Sequence, residues 1–193
     1  MASGTPAQRS RAEPDFPLLF EMGPSRARKR IILVPEGILN APVKTEKAYI
    51  LVIDDDPLLT STVKRLLHKA GYFVDTANDG REGIRKAKTG FFHLVLCDIR
   101  MPGLDGLMTL RHIRDFQEKA GAGKSGFIVV TAYDAPHTRR EAFQLGVSYF
   151  LLKPFDAGKF LEAIEHHVTP LVHQTPLEDV KKLNARLKRL VEH

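Results

Sequence analysis

Tyr49-Ile50-Leu51-Val52-Ile53-Asp54-Asp55-Asp56 is the stretch that decides the fold of this 193-residue chain. Its first five residues form a continuous apolar run, which is typical of a strand buried on both faces. Acidic residues follow the run at once, and Pro57 then suits the first turn of a helix. Gly71 marks the end of that helix. The stretch therefore predicts a strand–helix unit with carboxylates at the junction.

The same alternation continues along the chain. Further strands are predicted at 72–77, 94–97, 127–130 and 148–152, and the helices that follow the second to fifth strands at 80–90, 106–118, 136–145 and 157–167. Five such units in about 120 residues predict an α/β fold, a doubly wound parallel sheet with helices on both faces.

The N-terminal segment, residues 1–47, has a different texture. It is rich in proline, carries the basic cluster 26–30 and shows no sustained helical or alternating pattern. This composition predicts a disordered, basic extension. The sequence leaves open whether translation starts at Met1 or at Met22.

The C-terminal segment, residues 170–193, follows the predicted α/β domain at 48–169. Apolar residues recur there at steps of three and four, at Val180, Leu183, Leu187 and Leu190. The pattern predicts an amphipathic helix of fewer than three heptads, which is too short to be stable alone and must dock on something. A dimerisation or docking helix and a linker to an output domain both fit it.

Composition and charge limit the function classes. Hydrophobic residues make up 43% and charged residues 27%, as in ordinary globular proteins. No apolar run approaches the ~20 residues that cross a bilayer, and the lone Cys97 fits a reducing, cytoplasmic location. The net charge of +6 sits mainly in the two terminal segments. Those segments could bind nucleic acid, but they lack interleaved aromatic residues and any helix-turn-helix or zinc pattern.

Polar residues stand at the carboxyl ends of four of the predicted strands. They are Asp54, Asp55, Asp98, Thr131 and Lys153. Ligands of open α/β sheets bind beyond these strand ends, so the five side chains are expected to converge. Three carboxylates repel one another and favour capture of a hard cation such as Mg²⁺. One aspartate could then attack a phosphoryl group, with Thr131 and Lys153 stabilising its charge.

The motifs around these residues resemble the receiver domains of two-component response regulators. The resemblance covers about residues 48–169 and is carried by Ile50-Leu51-Val52-Ile53-Asp54-Asp55-Asp56, Leu96-Cys97-Asp98-Ile99-Arg100-Met101-Pro102-Gly103-Leu104-Asp105-Gly106, Val129-Val130-Thr131-Ala132 and Leu152-Lys153-Pro154-Phe155. It implies the flavodoxin-like strand order 2-1-3-4-5. It also implies a phospho-accepting signalling switch rather than a turnover enzyme.

The resemblance implies a role for each matching residue. Asp98 would accept a phosphoryl group from a histidine kinase or a phosphotransfer protein. Mg²⁺ would be held by Asp54, Asp55, Asp98 and the backbone carbonyl of Arg100. Lys153 would bind the phosphoryl group. Among the neighbouring residues, Thr131 would swing towards that group and Ala132 would leave space for it.

The resemblance also implies a conformational switch. Phe150 matches the aromatic residue that turns inward as Thr131 moves, which would bias a surface on the fourth helix and fifth strand. That surface, or the C-terminal helix, would bind a downstream protein or a second copy. The Lys153-Pro154 bond matches the family's cis peptide.

Two bulky residues flank the predicted acceptor. Arg100 and Tyr133 stand two positions after Asp98 and Thr131, where fast-hydrolysing relatives carry an acid or amide that orients water. Neither side chain can serve as a base at neutral pH. We therefore expect a slowly decaying phospho-Asp98.

Some single residues, and the chain as a whole, also fit simpler or different interpretations. Asp56 fits a helix cap, Cys97 a buried strand residue, and His166-His167 a pair of solvated histidines. Two alternative functions are a nucleic-acid binder and a phosphatase with an aspartyl nucleophile. The second lacks support because Arg100 stands where such enzymes carry a second acid.

Overall fold

Five parallel strands in the order β2-β1-β3-β4-β5 form the centre of the computed structural model. The structure describes residues 48–192, and for Leu177 the backbone alone. The predicted disordered extension and the question of Met22 lie outside the described residues. Within them the predicted doubly wound sheet and its strand order are confirmed.

Strands and helices alternate as the apolar runs predict. In chain order the elements are β1 (Tyr49–Ile53), α1 (Pro57–Lys69), β2 (Phe73–Ala77), α2 (Gly80–Thr89), β3 (Leu94–Cys97), α3 (Gly106–Ala120), β4 (Gly126–Thr131), α4 (Pro136–Gln144), β5 (Val147–Leu152), α5 (Ala157–Gln174) and α6 (Leu177–Val191). None of the helices within 48–192 is long and apolar enough to span a bilayer.

The sheet has an apolar core on each face. On β1, Leu51 and Ile53 point into the core covered by α2, α3 and α4. Ile50 and Val52, which alternate with them, point into the core covered by α1 and α5. Burial on both faces explains why the central strands are apolar without interruption.

Aspartates cap four of the helices. Asp56 accepts hydrogen bonds from the backbone N–H groups of Leu58 and Leu59 at the start of α1, which confirms the capping prediction for this residue. Asp79, Asp105 and Asp156 cap α2, α3 and α5 in the same way. These caps fix the points at which the chain leaves the carboxyl edge of the sheet.

Helix α5 is longer than predicted. It continues through Pro170 to Gln174 instead of ending near His167. Proline cannot donate a hydrogen bond to the preceding turn, which is why the sequence favours a break there. Val168 and Val172 are buried on either side of it, and this apolar contact holds the helix together.

Helix α6 docks on the α/β domain itself, at the edge where the strands begin. Val180 and Leu187 pack against Phe91 in a third, small core. The side-chain oxygen of Asn184 accepts a hydrogen bond of 2.6 Å from the Phe91 N–H. The prediction that this helix docks is confirmed, but Leu190, expected on its buried face, is 51% exposed.

A buried histidine lies beneath the α5–α6 junction. His93 Nδ1 accepts a hydrogen bond of 3.0 Å from the Tyr49 N–H. Its Nε2 lies 2.8 Å from the carbonyl oxygen of Thr175 and therefore carries the proton. The ring thus joins the beginning of β1 to the residue that ends α5.

Candidate functional site

Four strands deliver polar side chains to one edge of the sheet. Asp54 follows β1, Asp98 follows β3, Thr131 ends β4 and Lys153 follows β5. The parallel register aligns these ends, since Ile53 pairs with Cys97 and Thr131 with Leu152. The convergence expected from the sequence is present.

Lys153 lies between two buried aspartates. Its Nζ atom is 2.5 Å from Asp54 Oδ2 and 2.6 Å from Asp98 Oδ2. Asp54 is 3% exposed and Asp98 is 7% exposed, so both carboxylates are largely shielded from water. The Lys153-Pro154 peptide is cis, as the family resemblance implied.

Three carboxylates form a compact cluster beside this lysine. One oxygen each from Asp54, Asp55 and Asp98 lies within 4.8 Å of the others. In the buried pair, the oxygens that Lys153 does not contact are held by the backbone. Asp54 Oδ1 accepts a hydrogen bond from the Asp56 N–H at 3.0 Å, and Asp98 Oδ1 accepts one from the Arg100 N–H at 3.2 Å. Such an oxygen-only set, with Asp55 open to solvent, suits a hard divalent cation such as Mg²⁺.

Burial and charge act against each other in this cluster. Burial raises the pKa of Asp54 above its ordinary 3.8, although hydrogen bonds from Lys153 and the Asp56 N–H oppose the shift. For Lys153, burial alone would lower the pKa. Its hydrogen bonds to Asp54 and Asp98 outweigh that effect and raise the pKa above 10.5. The lysine therefore stays charged.

A groove of about 240 Å³ opens beside Asp98. It is lined by Asp98, Arg100, Thr131, Ala132 and Tyr133. The Thr131 hydroxyl accepts a hydrogen bond of 3.2 Å from the Tyr133 N–H, and its own proton remains available to a ligand. The Arg100 guanidinium lies 3.7 Å from the centre of the Tyr133 ring. The two bulky residues thus stack at the groove that leads to Asp98.

Phe150 belongs to a separate surface on α4 and β5. Its ring is half-buried and lies 5.6 Å from that of Phe143, while the Arg139 guanidinium stands 5.1 Å from it. Phe143 and Leu152 are 49% and 41% exposed on these two elements. The structure places the predicted switch residue among exposed apolar groups.

Gly106, the first residue of α3, also lies against the backbone of the site. A Cβ atom at this position would lie 1.9 Å from the backbone carbonyl oxygen of Asp98. Its N–H also donates to the Ile99 carbonyl at 2.9 Å. Helix α3 therefore presses its first residue against the backbone that carries Asp98, a contact with no signal in the sequence beyond the glycine itself.

Two sequence interpretations concerned residues near the site or on α5. Cys97 is buried as expected, and burial raises the pKa of its thiol well above the usual 9.0. His166 is exposed, but the His167 ring is half-buried, 5.1 Å from that of Tyr149. His167 is thus only partly the solvated residue that the sequence suggested.

Comparison with known proteins agrees with this fold. The family model described as the response regulator receiver domain matches residues 50–165. The chain belongs to the family of response regulator receiver domains, which act as signalling switches in two-component systems.

Curated relatives share this domain but are longer. The transcriptional regulatory protein ZraR of Klebsiella oxytoca is 37% identical over 125 residues, which cover 63% of this chain and 27% of ZraR. The transcriptional regulatory protein DltR of Streptococcus agalactiae is 33% identical over 115 residues, 60% of this chain and 49% of DltR. The chain thus matches about a quarter to a half of the length of these regulators.

Solved structures show the same architecture. A CheY-like receiver domain protein from Methanospirillum hungatei JF-1 has a TM-score of 0.61 at 26% identity, covering 66% of this chain and 98% of that one. The receiver domain of the sensor histidine kinase PA1611 from Pseudomonas aeruginosa PAO1, with a magnesium ion in its active-site cleft, has a TM-score of 0.56 at 26% identity. That match covers 63% of this chain and 98% of the other.

Proposed function

We propose that Asp98 accepts a phosphoryl group and thereby switches a protein-binding surface. The observation that carries this proposal is the position of Lys153 Nζ, within 2.6 Å of both Asp54 and Asp98 and beside the three-carboxylate cluster. A carboxylate placed next to a fixed cation is a suitable nucleophile for phosphorus. As for receiver domains generally, the donor is a histidine kinase or a phosphotransfer protein.

Each step of the transfer has a residue to perform it. A carboxylate oxygen of Asp98 attacks phosphorus, the P–N bond to the donor histidine breaks, and the imidazole leaves with the bond's electron pair. Lys153 then pairs with a phosphoryl oxygen, and Thr131 donates its free hydroxyl proton to another. Asp54, Asp55, Asp98 and the Arg100 carbonyl would hold Mg²⁺, which supplies charge neutralisation for the incoming group.

The switch follows from the pairing of β4 with β5. Thr131 pairs with Leu152, and Val129 pairs with Phe150. A movement of Thr131 would therefore displace residues of the neighbouring strand. We assign Phe150 as the residue that responds, and the α4–β5 surface as the face that binds a target or a second copy. The exposed Phe143 and Leu152 support this assignment.

The lengths of the relatives bear on how the signal is passed on. Because the match covers 27% of ZraR and 49% of DltR, a receiver acting within a longer regulator is the second candidate function. The boundaries 48–169 for the receiver and 170–193 for the C-terminal segment belong to this proposal, as does a cytoplasmic location suggested by the lone, buried Cys97.

The central experiment is incubation with phosphoramidate or acetyl phosphate and Mg²⁺, followed by intact mass measurement. We expect the wild type to gain the mass of one phosphate and Asp98→Asn to gain none. Asp79→Asn, which keeps a capping side chain at the start of α2, is the matched control and should be labelled like the wild type. Labelling of Asp98→Asn, or none in the wild type, would contradict the assignment.

A further inference from the structure

A groove between α2 and α3 is chemically distinct from the phosphorylation site. It holds about 520 Å³. Its apolar lining consists of Ile84, Leu104 and Phe116, all half-buried. Ile84 and Phe116 pack against the cores below them, which fixes their side chains. This groove therefore offers a preformed apolar floor that the fold itself leaves partly uncovered.

Cations surround this floor. Arg81, Lys88 and Lys119 line the groove, and none of them forms an ion pair with another residue in the range 48–192. Lys88 Nζ lies 5.7 Å from the centre of the Phe116 ring, so charge and apolar surface adjoin directly. One acid, Asp115, is present. The lining carries three basic charges against one acidic charge, besides His112.

Three other cations on the same two helices have acidic partners. Arg85 and Lys86 pair with Glu82, Lys86 also with Asp75, and Arg111 with Glu141. Within residues 48–192, the lysine and arginine residues of α2 and α3 without an acidic partner are therefore the three at the groove and Arg114, whose guanidinium lies 4.2 Å from the centre of the buried Phe127 ring. Charge complementarity requires an occupant with acidic groups, and the floor requires apolar side chains between them.

We propose that the α2–α3 groove docks an acidic, amphipathic segment of a partner protein. Such a segment places apolar side chains on Ile84, Leu104 and Phe116 and carboxylates beside Arg81, Lys88 and Lys119. A nucleic-acid backbone would satisfy the cations but leave the apolar floor without a matching group. Helix α6 of a second copy is excluded by its own excess of Lys and Arg. The docking does not require phosphorylation of Asp98.

Binding of a designed peptide to the full-length, unphosphorylated protein tests this proposal. The probe is a fluorescein-labelled peptide of about 15 residues, with Leu and Phe at helical spacing and Glu between them. The same peptide with Lys in place of Glu, and a DNA duplex of about 20 base pairs, are the comparison ligands. Fluorescence anisotropy is measured at low and high salt.

Two charge-matched triple variants make the test specific. The groove variant reverses the charge of the groove and combines Arg81→Glu, Lys88→Glu and Lys119→Glu. The control variant reverses the charge of three exposed residues on α1 and α5, which cover the other face of the sheet. It combines Arg65→Glu, Lys69→Glu and Lys159→Glu. Circular dichroism verifies that both variants are folded.

We expect the Glu peptide to bind saturably and more weakly at high salt, and the groove variant to lose affinity about tenfold or more while the control variant keeps it. Three outcomes would overturn the proposal. They are no saturable binding of the Glu peptide, equal losses in the two variants, and a groove-dependent preference for DNA over the peptide.

Discussion

Arg100 and Tyr133 form a stacked pair at the groove beside Asp98. Neither side chain can accept a proton from water at neutral pH, and both line the groove through which water would approach a phosphoryl group. We expect phospho-Asp98 to persist, and Arg100→Asn to shorten its lifetime about tenfold or more by admitting and orienting water. Loss of the phosphate mass with time, in the presence of Mg²⁺, measures this.

The control for that prediction is Arg111→Asn on α3. Arg111 is exposed and pairs with Glu141, away from the groove at Asp98. Its replacement should leave the lifetime unchanged. Decay of the wild-type phosphoprotein within seconds would show that the stacked pair does not shield Asp98.

Asp54 makes cation binding sensitive to acid. Burial raises the pKa of this carboxyl above 3.8, so protons compete for it at a higher pH than for an ordinary aspartate. Affinity for Mg²⁺ should therefore fall as the pH decreases from neutrality, and the fall should begin above the ordinary carboxyl pKa. Titration calorimetry at a series of pH values measures it. In Asp54→Asn, the affinity for Mg²⁺ should be lower and should depend less on pH. An unaltered pH profile would show that Asp54 does not bind the cation.

At the scale of single elements, the start of α3 determines where Asp98 sits. Gly106→Ala would bring a methyl group into the Asp98 carbonyl oxygen, and the contact is with backbone that cannot rotate away. We expect a loss of about 1 to 3 kcal/mol in the free energy of unfolding, together with slower phosphorylation. Chemical denaturation and the mass-based phosphorylation assay measure the two effects.

Gly90→Ala is the matched control for this substitution. A Cβ atom at Gly90 would meet its nearest neighbour at 3.7 Å, an ordinary van der Waals contact. This variant should be phosphorylated at the wild-type rate. If Gly106→Ala were also phosphorylated at the wild-type rate, the close approach of Gly106 to Asp98 would not matter for phosphorylation.

The sequence predicts the strands well but the faces of β5 poorly. Continuous apolar runs mark β1 and β3 because both of their faces are covered. In β5 the register with β4 shifts, so that Val147 pairs with Phe127 but Tyr149 pairs with Ile128. The extra residue, Ser148, breaks the simple alternation, and a pattern with a period of two cannot assign Tyr149 and Phe150 to their faces.

The continuation of α5 through Pro170 is also not predictable from local sequence. Burial of Val168 and Val172 overrides the rule that proline breaks a helix.

At the scale of the whole molecule, α6 contributes to the stability of the receiver. Leu187 is 2% exposed against the third core, whereas Leu190 on the same helix is 51% exposed. Leu187→Ala should cost about 2 to 5 kcal/mol in the free energy of unfolding. Leu190→Ala should change it by no more than about 0.5 kcal/mol. Denaturant titrations of both variants test the prediction, and equal effects would mean that α6 is not held by this contact.

The candidate site was more predictable than the docking of α6. Asp54, Asp98, Thr131 and Lys153 each stand at the carboxyl end of a strand, and parallel topology alone brings strand ends together. The spacing of Val180 and Leu187 shows that α6 needs an apolar partner but carries no information about which one. Phe91, the partner found, lies far away in sequence. The need for glycine at position 106 likewise becomes evident only from its contact with the Asp98 backbone in the folded structure.

The ammonium of Lys153, held between Asp54 and Asp98, acts as a built-in counter-ion for the acids at the sheet edge. Part of the mutual repulsion of these acids is therefore cancelled by the polypeptide itself. Treatment with EDTA should then block phosphorylation without melting the domain, in contrast to small proteins whose fold depends on a structural metal. Signalling by this receiver would follow the supply of magnesium, while its survival as a folded protein would not.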